Sequence, residues 1–388
     1  MQNFEFHIPT KVFFGRDTEN QVGEIIRSYG YSRVLLVYGG GSIKRSGLYE
    51  RVTGSLAAAG IRYAEHGGVK ANPLLSHTLD GIALAKREGS ELILGVGGGS
   101  VIDTAKEIAV GALDDGEHWD FVTGKRTVTR ALPVGVILTI AAAGSEMSSS
   151  AVLTNEADGS KRGYNTPFHR PLFAICNPAL TETVDRYQTA CGIVDILMHT
   201  LERYFAPMPE TPVTDAIAMA LCRETVRAGR IAYEDPTNYG ARASLMWASS
   251  LSHNDLTGAG RAFVSCCHRL EHEISARYDV AHGAGLAVVF PAWAEYVMPY
   301  AVERFARFAR DVFAVTPSDD EAAAREGLAV LRTFFRSIGM PLTFAELGIP
   351  EPDLPDMAYR VSAGKTFRIS SYIELGYDEM LAIYRLAL

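Results

Sequence analysis

Apolar positions follow two different periods along this chain, and the switch between them divides it. Up to about residue 184, short apolar runs alternate with amphipathic stretches of helical length. RVLLVY (33–38) and ELILGV (91–96) are continuous runs rich in Val and Leu, the pattern of strands buried on both faces of a parallel sheet. IRYAEHGG (61–68) predicts another strand. Helices are expected over 18–29, capped by Asp17 or Thr18, over 46–58, over 77–89 and over VIDTAKEIAVGAL (101–113). FEFHIPTKVFF (4–14) alternates weakly and predicts a small hairpin ahead of Gly15. Strands alternating with helices in this order point to βαβ units.

From about residue 185 the strand signal nearly vanishes. Amphipathic helical segments follow at 186–204, 212–232, 238–257, 261–277, 283–298, 300–313, 319–338 and 376–386. The expected architecture is an α/β N-terminal domain over 1–184, built on a Rossmann-like parallel sheet, followed by an all-α domain over 185–388.

Composition narrows the function classes. The chain is 47% hydrophobic and 21% charged, as in ordinary soluble globular proteins. A net charge of −8, with no Lys/Arg run, argues against nucleic acid as a partner. The longest apolar stretch, around 132–144, is too short to span a bilayer, so no membrane is expected either. The cysteines form no CxxC pair and no disulfide-like framework, and the start MQNFEFHIPT lacks a basic-then-apolar leader. Both features predict a cytoplasmic protein.

The chemistry concentrates in CGIVDILMHTLE (191–202). Asp195 and His199 stand four residues apart, on one face of a helix, among Val194, Ile196, Leu197, Met198 and Leu201. An unpaired charge in such a setting costs on the order of several kcal/mol. Hydrogen-bonding neighbours or a bound cation must compensate. His268 and His272 repeat the spacing, and His282 follows in AHGAGLA. Asp195, His199, His268 and His282 together make a donor set of three nitrogens and one oxygen, suited to a divalent metal. Any one of these histidines alone reads as a core residue; two helical pairs and a loop histidine favour a metal.

Two glycine runs suit a nucleotide. GVGGGSVIDTAK (95–106) follows a strand and opens a helix, where backbone N–H groups and the helix dipole receive a pyrophosphate. It lacks the GxGxxG spacing, so a sterically tight turn is the bland alternative. Asp103, one turn into the helix, either caps the helix start or hydrogen-bonds the cofactor. YGGGSIKR (38–45) bears on cofactor choice. NAD-binding loops commonly place an acidic residue after this strand for the ribose 2′-hydroxyl. Here glycines are followed by Ser42, Lys44 and Arg45, which accept a 2′-phosphate, so NADP(H) is favoured over NAD(H).

These segments resemble the iron-containing (group III) alcohol dehydrogenases, most nearly their butanol dehydrogenase-like, NADPH-dependent aldehyde reductase branch. The resemblance covers essentially the whole chain. It runs through FEFHIPTKVFFG, YGGGSIKRSGLYERV, GVGGGSVIDTAKEIA, ILTIAAAGSEMSSSAVLTN (137–155), NPALTETV, GIVDILMHTLERY (192–204) and HRLEHEISARYDVAHGAGLAVVFPAW (268–293). It implies a dehydroquinate synthase-like architecture, a Rossmann-like domain joined to a helical metal domain, usually as a dimer or larger assembly. It implies Asp195, His199, His268 and His282 as ligands of one divalent ion, Fe2+ with Zn2+ close behind. Cofactor contacts carry over onto Gly39, Gly40, Ser42, Asn72, Gly98, Gly99, Ser100, Asp103, Thr139 and Lys161. His272 matches a histidine near the nicotinamide that is not usually a ligand, and is the candidate proton relay.

Three departures stand against the family pattern: Ala143 replaces a usual Thr, Asn177 replaces a usual Asp, and Cys266–Cys267 directly precede His268. The function expected is metal-dependent interconversion of aldehydes and primary alcohols by hydride transfer, with a small-molecule substrate and a homodimeric enzyme. The alternatives are a polyol dehydrogenase or dehydroquinate synthase-like enzyme, or a catalytically silent nucleotide-binding protein.

Overall fold

Val- and Leu-rich runs become strands because their side chains pack on both faces of a pleated surface. A computed structural model describes residues 1–207, 211–262 and 264–388. It divides into two compact units, one of His7–Val184 and one of Asp185–Leu388 with Met1–Phe6. The first holds strands β1 (Lys11–Phe14), β2 (Arg33–Gly39), β3 (Arg62–Val69), β4 (Leu92–Gly97), β5 (Val134–Leu138), β6 (Ser150–Asn155), β7 (Ser160–Asn165) and β8 (Phe173–Cys176). Its helices are α1 (Val22–Ser28), α2 (Ser42–Arg45), α3 (Leu48–Ala58), α4 (Leu75–Arg87), α5 (Gly99–Gly111) and α6 (Trp119–Val122). Six strands form one wholly parallel sheet in the order β1-β8-β5-β4-β2-β3. Val34, Leu36, Leu92, Leu94, Ile137 and Ile175 are buried with α1 and α3 residues such as Ile26 and Val52. The chain winds from β2 out to β3 and returns to β4 on the other side of β2. Winding direction therefore reverses between β2 and β4, whose carboxyl ends carry the two glycine runs.

Several local expectations fail for tertiary reasons. Residues 4–14 make no hairpin; only Lys11–Phe14 is a strand, and it pairs in parallel with β8, Lys11 against Phe173. The 18–29 segment begins as a 3-10 turn and becomes α-helical at Val22; Asp17 adopts φ 61° without a side-chain cap. The 46–58 helix begins at Leu48, after Gly47 with φ 70°, and a separate short α2 precedes it. An antiparallel β6–β7 hairpin, absent from the sequence reading, turns at Asp158-Gly159, a strong hairpin signal.

The second unit contains α7 (Arg186–Tyr204), α8 (Pro212–Glu234), α9 (Tyr239–Ser252), α10 (Cys267–Tyr278), α11 (His282–Val297), α12 (Val302–Phe313), α13 (Asp320–Ser337), α14 (Leu354–Val361) and α15 (Tyr377–Arg385), with a two-stranded β9 (Ile369–Ser370) and β10 (Glu374–Leu375). The expected 261–277 helix starts only at Cys267; residue 263 in that segment, and residues 208–210, lie outside the described residues. Among the described residues no helix is long and apolar enough to cross a membrane.

Helix α7 is the axis of this unit, buried from Thr189 to Tyr204. Asp185 caps its start by accepting the Gln188 N–H at 2.8 Å. At its other end, guanidinium groups of Arg261 and Arg304 donate to the carbonyls of Arg203 and Tyr204 at 2.7–3.2 Å. Cations there satisfy orphan acceptors and suit the negative end of the helix dipole. Asp215 of α8 in turn accepts from both arginines at 2.5–2.6 Å.

Helix α11 packs against α7 without a side chain between them at Gly283, where a β-carbon would overlap the Cys191 carbonyl. Gly283→Ala is expected to cost about 2 kcal/mol or more by overpacking. That should lower the Tm of the full-length protein by roughly 4–8 °C in differential scanning calorimetry.

Candidate active site

Helical spacing carries Asp195 and His199 to one face of α7, where α10 and α11 add His268 and His282. Three imidazole Nε2 atoms converge on a single carboxylate oxygen, Asp195 Oδ1: His199 at 3.2 Å, His268 at 3.6 Å and His282 at 3.9 Å. A tetrahedral ion with bonds of about 2.0–2.1 Å separates its donors by about 3.3 Å, so the spacing suits one cation. The donor atoms of Asp195, His268 and His282 all lie within 4.8 Å of one another. His199 joins them through Asp195, its ring stacked between His253 at 4.0 Å and His268 at 4.4 Å. Asp195 Oδ1 and His268 Nε2 are buried with no hydrogen-bond partner among the described residues. Buried polar atoms left without a partner are unfavourable unless something binds them. The residues present fit a divalent ion.

Two glutamates missed in the sequence reading support this cluster. Glu202 of α7 accepts from His268 Nδ1 at 2.5 Å, and also from the backbone N–H groups of Cys267 and His268. One carboxylate thus caps α10 and orients its first histidine. Glu271 of α10 accepts from Nδ1 of His282. His272 lies outside the Asp195 group, its ring 5.7 Å from that of His282. Burial opposes charge on His268, but Glu202 and Asp195 outweigh it and push the ring up to about 10. At His199 burial wins, reinforced by the imidazoles of His253 and His268, and holds the ring well below the usual range.

In the other unit, Gly39 ends β2 and Gly41 precedes α2, with Ser42 as its first residue; Gly40 lies between. Gly98 precedes α5, with Gly99 and Ser100 as its first residues. Thr139 follows β5 and donates its N–H to Gly97 at 3.0 Å. These groups line the carboxyl ends of adjacent strands at the winding reversal, the usual ligand position of such sheets. Asn72 and Lys161 meet, Lys161 Nζ donating to Asn72 Oδ1 at 2.9 Å. Asp103 faces inward instead, accepting from the Ser145 hydroxyl at 2.6 Å and the Val152 N–H at 3.0 Å. Beside the first loop, Glu65 of β3 accepts from the hydroxyls of Tyr38 at 2.8 Å and Tyr49 at 2.6 Å. Lys44 Nζ sits over both tyrosine rings, 4.0 Å from Glu65. A carboxylate from the neighbouring strand therefore stands where the loop itself supplies none.

Residues 9–178 match the iron-containing alcohol dehydrogenase family, and residues 189–388 match the C-terminal domain of the Fe-containing alcohol dehydrogenases. The chain belongs to the iron-containing alcohol dehydrogenase family. It is 40% identical to an NADH-dependent butanol dehydrogenase A of Clostridium acetobutylicum, covering 99% of both chains. It is 30% identical to an NADPH-dependent aldehyde reductase of Escherichia coli over the full length of both. The crystal structure of an NADH-dependent butanol dehydrogenase A from Thermotoga maritima superposes with a TM-score of 0.96 at 38% identity, covering 100% of this chain and 99% of that one. This iron-containing alcohol dehydrogenase relative is thus an NAD(P)-dependent oxidoreductase by kinship, with its sheet and helical units as expected.

The departures from the family pattern take defined places. Asn177 bridges Glu19, donating at 2.8 Å, and the Ala179 N–H, accepting at 3.0 Å. Ala143 lies against Gly99, its methyl 3.4 Å from where a β-carbon there would stand. Cys266 and Cys267 are buried free thiols; burial pushes Cys266 up to about 12 and Cys267 well above the usual thiol range, so neither is a ready nucleophile.

Asp195→Ala is expected to lower bound divalent metal at least tenfold, roughly the effect of losing one ligand or its support, by elemental analysis of the purified protein. Because carboxylates favour a proton on His268 up to about 10, a cation at its Nε2 must displace that proton. Apparent metal affinity should therefore weaken about tenfold per unit as pH is lowered from 8 to 6, in chelator-competition titrations.

Proposed function

We propose that the protein interconverts aldehydes and primary alcohols by hydride transfer with a nicotinamide dinucleotide, at a divalent cation held by Asp195, His199, His268 and His282. The observation that carries this reading is the convergence of three imidazole nitrogens on one buried carboxylate oxygen in a chain of this family. A cation in that donor set supplies Lewis acidity toward a carbonyl or alcohol oxygen, and the dinucleotide supplies the hydride. The residues do the rest. Asp195 contributes the donor set's negative charge, while Glu202 and Glu271 hold hydrogens on the far nitrogens of His268 and His282. Backbone N–H groups at the starts of α2 and α5 receive the pyrophosphate. His272, half-buried beside His282, relays the proton that the product alcohol gains.

Lys44 and Arg45 support NADP(H) as the favoured cofactor, with Fe2+ as the resident ion and Zn2+ as its rival. Glu65 beside Lys44, and the NADH dependence of the Clostridium and Thermotoga relatives, press toward NAD(H). A phosphorylated substrate is disfavoured because two of the three cations near in sequence are committed, Arg261 to Asp215 and Arg277 to Asp353 and Asp356, while Arg269 lies over the Phe367 ring. A homodimer in the cytoplasm completes the reading.

Butanal should drive oxidation of NADPH faster than of NADH in spectrophotometric assays, and prior chelation should abolish both; cofactor binding without oxidation would instead mark a silent protein. Lys44→Ala should lower kcat/KM for NADPH by roughly tenfold, the worth of one charge-assisted contact, and spare NADH. His272→Ala should lower kcat by about 10²-fold or more while metal content stays intact.

A further inference from the structure

Two of the three donor histidines are followed three residues later by a glutamate, in HTLE (199–202) and HRLE (268–271). Neither glutamate serves the histidine of its own tetrapeptide. Glu202 reaches from α7 to His268 on α10, and Glu271 reaches from α10 to His282 on α11. Each helix aims the ring of the next.

His282 depends on this most. Its side chain is 25% exposed, against 9% for His199 and 8% for His268, and it stands at the first residue of α11. A ring in that position has rotational freedom and two neutral tautomers, only one of which offers Nε2 as a lone-pair donor. An ionised carboxylate can only accept, so the Glu271 contact places the hydrogen on Nδ1 and leaves Nε2 directed at Asp195 Oδ1. Glu271 is wholly buried, with the Ser275 hydroxyl 3.4 Å from the same oxygen. It fits only because residue 285 has no side chain. A β-carbon at Gly285 would lie 2.7 Å from both Cγ and Oε1 of Glu271, closer than non-bonded carbon atoms approach.

We propose that Glu271 is the positioning residue of His282 and that Gly285 is the space that admits it, so that the pair sets how tightly the centre holds its cation. This rests on the metal centre proposed above.

The test uses full-length Glu271→Gln, Gly285→Ala and the double variant Gly285→Ala/Glu271→Asp. Three quantities are read: affinity for Zn2+ alone by chelator competition, the Tm of the metal-free protein, and the d–d absorption of the Co2+-loaded protein. Glu271→Gln and Gly285→Ala should each weaken Zn2+ binding by about 10–100-fold. Their Co2+ spectra should shift, and the metal-free Tm of Glu271→Gln should match that of the unaltered protein. In the double variant the shorter aspartate should recover part of the affinity lost in Gly285→Ala. Zn2+ binding by Glu271→Gln as tight as in the unaltered protein, with the same Co2+ spectrum, overturns the proposal. So does an affinity loss that only tracks a fall in metal-free Tm, which marks a packing role. If the unaltered protein binds Zn2+ no better than Asp195→Ala does, the metal centre itself fails, whatever the glutamate variant shows.

Discussion

A carboxylate at Asp195, within the buried Thr189–Tyr204 stretch of α7, is the constraint from which the helical unit follows. Asp195 is buried, and its Oδ1 has no hydrogen-bond donor among the described residues. Its neighbours are imidazoles on three helices, so α10 and α11 must present their first turns to the middle of α7. That demand explains the bare contact at Gly283, which lets α11 approach, and the Glu202 carboxylate, which fixes where α10 begins. It also explains why the far end of α7 is closed by guanidinium groups. A helix that holds Asp195 and His199 four residues apart on one face cannot fray, and capped carbonyls hold its last turn.

The six-stranded sheet answers a different demand. A dinucleotide needs clustered backbone N–H groups and no intruding side chains, and parallel strands deliver both at their carboxyl ends. Near the first glycine loop the electrostatics are mixed. Burial opposes the ionised form of Glu65, yet the hydroxyls of Tyr49 and Tyr38 outweigh it and keep the carboxyl acidic. Lys44 is thus partnered before any phosphate arrives. The count of charges along the loop and the field at the loop differ by this one residue.

What was legible in the sequence was what repeats at short range. The 3.6-residue period revealed α7, α8, α12 and α13 nearly to their ends, and the four-residue spacings brought Asp195, His199, His268 and His282 to notice. What was hidden depends on partners far along the chain. Lys11–Phe14 reads as half of a hairpin until Phe173–Cys176 takes the place beside it. The start of α10 is invisible locally because its cap is a side chain 65 residues upstream. Glu65 acts on Lys44 only through the pairing of β2 with β3. The HxxE tetrapeptides were in plain view, but a reading confined to one helix assigns each glutamate to the wrong histidine. The Asp158-Gly159 turn was a local signal overlooked.

The proposed ligand side chains come from α7, α10 and α11, which are separate stretches of chain. A bound ion in such a setting would also be a clasp: it would join three helices already linked by packing and by the Glu202 and Glu271 hydrogen bonds, and its binding free energy would add to that of folding. Starvation for the ion would then shorten the life of the protein as well as silence it, tying its abundance in the cell to metal supply.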